Sequence, residues 1–153
     1  MSESPTNTAA AIPIMAARLG YAGLLPFVIG AGLCFLPDGD WRAFGMRQLL
    51  AWAAIILSFM GAVHWGIALR ESDHAPRLYV ASVLPALVAW IALSLSALPA
   101  LSLIATAFTV LFVFDLRSAR EGLLPAWYPR LRMPLTAIVL ICLGLAAASV
   151  GAP

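Results

Sequence analysis

Residues 49–69 read LLAWAAIILSFMGAVHWGIAL, a run of twenty-one positions without Asp, Glu, Lys or Arg. A helix rises about 1.5 Å per residue, so such a run crosses a hydrocarbon core of about 30 Å, and soluble core helices rarely stay uncharged for so long. Outward from it, Leu19 to Leu36, Leu78 to Leu98, Pro99 to Leu116 and Leu131 to Val150 meet the same test. All five runs are uniformly apolar, where barrel strands would alternate apolar and polar positions. The predicted fold is therefore all-α: a polytopic, five-helix transmembrane bundle forming one membrane domain over residues 19–150.

Lysine is absent, and the nine arginines fall on alternate connections. Arg18, Arg70, Arg77, Arg117, Arg120, Arg130 and Arg132 share one face; Arg42 and Arg47 lie on the other. Short Arg-rich loops stay cytoplasmic, which predicts the N-terminus inside and the C-terminus, with residues 151–153 as a short tail, outside. The uncharged Leu98-Pro99 junction then makes a tight outer hairpin.

Residues 1–18, rich in Ser, Thr, Pro and Ala, have too little apolar content to order themselves and read as a mobile inner tail. No basic segment precedes the first apolar run, which is itself a full span, so a cleavable signal is not expected. Glu3 and the lone Arg18 argue against a transit peptide, leaving a bacterial cytoplasmic membrane as the expected address. Cys34 and Cys142 differ in depth by roughly 9 Å along their helices, too far for a disulfide, and read as small buried apolar residues.

Within the second span, Ala54, Ser58, Ala62 and Gly66 recur every four residues. Such a ridge of small side chains lets another helix approach closely, either inside the bundle or across a homo-oligomer contact. Pro26, Pro85 and Pro134 open or interrupt the first, third and fifth spans, where a missing N–H usually kinks a helix.

His64 sits five residues, about 7 to 8 Å, inside the inner end of its span. Ionisable residues at that depth face the bundle interior and find a partner, and Asp115, closing the fourth span on the same side, is the expected one. A backbone carbonyl or a hydroxyl is the alternative partner. Haem ligation is disfavoured, because there is no second intramembrane His.

The connection after Asp115 predicts a helix running past the bilayer, with Arg117 and Glu121 paired at i, i+4 and Gly122 as its stop. Beyond it, Trp127, Tyr128, Arg130 and Arg132 combine aromatic anchors with cations. Together with Arg117 and Arg120 they form a candidate contact for anionic lipid headgroups. On the opposite face, Pro37-Asp38-Gly39-Asp40 predicts a turn, with Asp40 capping a long helix from Trp41. Glu71, Asp73 and His74 cluster in the second connection and read as a solvated loop. No metal-ligand spacing, nucleophile motif or nucleotide fingerprint occurs, so neither a metal, a cofactor nor a nucleic acid is expected.

The segments from Gly61 to Leu69 (GAVHWGIAL), from Ser82 to Leu87 (SVLPAL), and from Asp115 through GLLPAWY to Arg132 and Pro134 resemble the domain of unknown function 3429 family. The resemblance covers about residues 19–150. It implies a small integral membrane protein without an assigned biochemical activity, and it carries no catalytic residues. The expected function is non-enzymatic binding of a lipid or a membrane-protein partner. The alternative is a small proton-coupled carrier built around His64.

Overall fold

The computed structural model describes residues 11–70, 73 and 75–150, which hold helices and no strand. The helices are α1 (Ile14–Ala22), α2 (Leu25–Leu33), α3 (Gly39–Ala68), α4 (Ala75–Ala92), α5 (Ala97–Arg120) and α6 (Trp127–Val150). Helices α1 and α2 follow one another across Gly23 and Leu24, so six helices supply five spans long and apolar enough to cross a membrane. Large apolar side chains such as Leu19, Phe59, Leu69 and Trp90 point outward, as a lipid solvent permits. The tail expected over 1–18 is helical from Ile14, after Pro13 sets the entry. Residues 1–10, 151–153, and Glu71 and His74 of the expected loop cluster lie outside the described residues.

Proline explains the divided first span. Pro26 occupies the second position of α2 and cannot donate to the carbonyl of Ala22, so α1 ends and a new helix begins. A carbonyl freed in hydrocarbon needs a donor, and Trp52 on α3 supplies one: its indole Nε1 donates to Gly23 O at 3.0 Å. Pro85 and Pro134, by contrast, lie inside the unbroken helices α4 and α6.

The connections depart from expectation in informative ways. Asp38, not Asp40, caps α3, and its Oδ1 accepts from Asp40 N at 2.8 Å and Trp41 N at 3.3 Å. Asp38 has the extended backbone (φ −72°, ψ 120°) that lets a capping carboxylate reach the second and third N–H groups of the helix. The hairpin expected at Leu98-Pro99 falls at Leu93–Ser96, because Pro99 is tolerated in the first turn of α5, where its missing N–H has no partner to lose. After α5, Gly122 adopts φ +79°, Leu123 N bonds Ser118 O at 2.9 Å and Gly122 N bonds Ala119 O at 3.1 Å. These are the paired bonds of a Schellman stop. Glu121 pairs with Arg77 at the start of α4, an inter-connection bridge that the i, i+4 expectation with Arg117 did not foresee.

Helix α3 is central and packs on α2 and α4. The close approaches are made by Gly45 and Gly61: a Cβ at Gly45 would meet Leu33 Cβ at 2.5 Å, and one at Gly61 would meet Ser82 O at 2.8 Å. Leu49, Ala53 and Leu57 continue the same buried stripe. Of the ridge read from the sequence, Ala54 is buried, Ser58 half-buried with its hydroxyl donating to Ala54 O, and Ala62 and Gly66 face outward. Phe27 and Phe108 meet edge-on, centroids 6.3 Å apart, at the centre of the core. Cys34 and Cys142 are free thiols, both buried.

Candidate functional site

The buried charges gather at one end of the bundle, where α3 and α5 finish and α6 begins. His64 lies four residues before the end of α3, Asp115 five before the end of α5, and Arg132 five after the start of α6. At about 1.5 Å per residue these offsets put all three at nearly the same depth, about 6 to 8 Å inside the helix ends. Gly122 turns α5 back on α6, so Asp115 and Arg132 face one another across the hairpin.

Asp115 joins the other two. Its Oδ2 accepts from Arg132 Nε at 3.0 Å, and its Oδ1 lies 3.1 Å from His64 Nε2. The second contact is within ion-pair reach but is not aligned as a hydrogen bond. His64 and Asp115 are 0% exposed and Arg132 4%. The imidazole is further packed edge-on against Phe114, with ring centroids 4.9 Å apart. Arg132 Nη1 reaches Met60 Sδ at 2.7 Å. One carboxylate thus balances a guanidinium that would otherwise be expensive to hold in a low-dielectric layer.

The six candidate lipid-contact residues separate into two groups. Arg117, Arg120 and Arg130 are exposed at this same end of the bundle, and Trp127 is half-buried beside Tyr128. Arg132 goes into the core instead, because α6 begins at Trp127 and carries it more than a turn inside. Tyr128, Arg132 and Thr136 succeed one another at intervals of four on one face of α6 and help to line a cavity of about 340 Å³ between the first span, α3 and α6. The remaining wall is apolar, with the buried Phe27 and Phe108 at its back and the largely exposed Leu19 and Phe59 where it opens at the bundle surface. Sequence reasoning missed Met60, Thr136 and Phe114, and it assigned Arg132 to the headgroups. Equal depth from the two ends of the hairpin was the available signal for the Arg132–Asp115 pair. Among the described residues no group of three or more His, Cys, Asp or Glu is placed to hold a metal ion.

A family profile described as "Protein of unknown function (DUF3429)" matches residues 12–148. Transmembrane protein 69 of Xenopus tropicalis is 34% identical over 141 residues, which cover 86% of this chain and 53% of that protein. The chain thus spans about half the length of that relative. No solved structure matches. With its five spans and a profile match over nearly all of them, the chain belongs to the DUF3429 family of multi-pass membrane proteins of unknown function.

Proposed function

We propose that the protein is a non-enzymatic, lipid-binding membrane protein. The observation that carries this reading is the cavity of about 340 Å³, apolar over most of its wall, with three polar side chains of α6 on one side. That volume falls at the lower end of small-molecule sites, and the wall composition suits a mostly apolar occupant. The exposed Arg117, Arg120 and Arg130 beside Trp127 suit anionic headgroups at the same end of the bundle. The carrier alternative on His64 has less support: that ring is enclosed by Asp115 and Phe114, and its carboxylate partner is shared with Arg132.

The same proposal includes the N-inside orientation and an inner-membrane address, both resting on the arginine asymmetry. The outward-facing Ala62 and Gly66 leave a homo-oligomer contact on α3 as a further part of it. Purification in mild detergent followed by native mass spectrometry tests the central claim. A lipid-sized mass that stays with the protein, and is lost when Ala16→Phe fills the cavity, is the expected result. A protein that carries no such mass in either form overturns it.

A further inference from the structure

The α6 face that lines the cavity carries polar atoms without protein partners. Tyr128 Oη, Arg132 Nη2 and Thr136 Oγ1 are buried, and none of them has a hydrogen bond among the described residues. Thr136 lacks a bond that five other helical hydroxyls make. Ser58, Ser82, Thr106, Thr109 and Ser149 each donate to a carbonyl three or four residues back, and Thr136 does not. Buried polar groups in native proteins are nearly always satisfied, so three orphans on one cavity wall call for a partner.

Resting on the lipid-binding reading above, we propose that the cavity takes a long-chain apolar molecule with an uncharged carbonyl head. The carbonyl sits at Tyr128, Arg132 and Thr136, and the chain lies against Leu19, Phe27 and Phe59. All three orphans can donate, which calls for an acceptor. Charge decides which acceptor. The Asp115 carboxylate already lies 3.0 Å from Arg132 Nε, so a second carboxylate brought to the same guanidinium would face that like charge where repulsion is poorly screened. An ester, ketone or quinone carbonyl offers the same lone pairs without it. The cluster holds Arg132 Nε on Asp115, leaving Nη2 to the ligand.

The test uses the full chain in an alkyl maltoside, a detergent without a carbonyl. Diazirine-bearing probes of equal chain length are offered as a methyl ester, a free acid and a hydrocarbon, and labelled peptides are mapped by mass spectrometry. The ester should label peptides of α3 and α6 that line the cavity, above both other probes, and unlabelled ester should displace it. Tyr128→Phe and Thr136→Val each remove one hydroxyl with little change of shape, and each should weaken that displacement about fivefold while leaving hydrocarbon labelling unchanged. Acid labelling above ester at neutral pH would overturn the uncharged head. Equal labelling by ester and hydrocarbon, indifferent to both variants, would overturn head recognition and leave lipid binding standing. No labelling of the cavity by any probe would overturn both.

Discussion

Asp115→Leu bears most directly on how the bundle tolerates charge. The wild-type carboxylate lies 3.0 Å from Arg132 Nε and 3.1 Å from His64 Nε2, with side chains 1%, 5% and 0% exposed respectively. Removing it strands a buried guanidinium whose other contact is the thioether of Met60, and breaking a buried pair from one side costs about 3–5 kcal/mol. Arg132→Met should cost less, about 1.5–3 kcal/mol for a charge-assisted hydrogen bond, because Asp115 keeps His64 within reach. Asp115→Leu with Arg132→Met removes both charges, and apolar replacement of a whole buried pair is often neutral or better. The double variant should therefore lose less than Asp115→Leu alone. Unfolding by SDS in mixed micelles, followed by tryptophan fluorescence, gives the three free energies of a double-mutant cycle. The expected coupling is about 2 kcal/mol or more. Losses that simply add would refute the argument that these side chains balance one another.

Further outcomes follow from the same packing. His64→Gln should retain more stability in the SDS assay than His64→Ala, by about 1–3 kcal/mol, since the amide can donate to Asp115 Oδ1, which lies 3.1 Å from His64 Nε2, and Ala cannot. Gly61→Ala should destabilise by about 1–3 kcal/mol, because its Cβ would stand 2.8 Å from Ser82 O against the backbone of α4. Gly66→Ala meets open space, so it should be neutral or stabilising by up to about 1 kcal/mol; equal effects at the two glycines would count against the α3–α4 packing. For orientation, a reporter active only outside should work after Val150, and one active only inside should work after Glu121. The reverse pattern would invert the proposed topology.

The spans were legible because apolar length against bilayer thickness is a one-dimensional signal that needs no tertiary information. Boundaries were less so. The apolar run ends near Leu36 and resumes at Leu49, yet α3 begins at Gly39, because capping by Asp38 and helical hydrogen bonding continue through the interface after hydropathy has dropped. Arg132 shows a different limit. Arginine counts treat every loop cation alike, and the side chain's true setting depends on where α6 starts and on how Gly122 turns the chain. His64 and Asp115 could be paired by depth on one side of the membrane. Which face of α6 completes the cluster depends on helix rotation, which the apolar pattern of that span leaves open: its letters are apolar nearly all round.

Pro26 links the local sequence to the cavity. Without its N–H the first span cannot continue as one helix, and the chain closes a tight turn with Leu24 N bonded to Tyr21 O at 3.1 Å before α2 begins. The two halves then meet the bundle differently. Helix α2 buries Phe27, Gly30 and Ala31, whereas α1 buries no residue and approaches α6 through Gly20, where an added Cβ would stand 2.9 Å from Leu135 Cδ1. A continuous helix packed like α2 would close on α3 and α6 along its whole length. The broken one leaves α1 as a wall set off from Phe59 and Met60 of α3, and the space between them is the cavity. Side chains facing a gap forfeit dispersion contacts, so the apolar chain of the proposed ligand would restore them while its carbonyl head would accept from the orphaned donors of α6. Replacing Pro26 would restore the missing N–H and favour a continuous first span, which ties the proposed lipid site to a residue outside its lining.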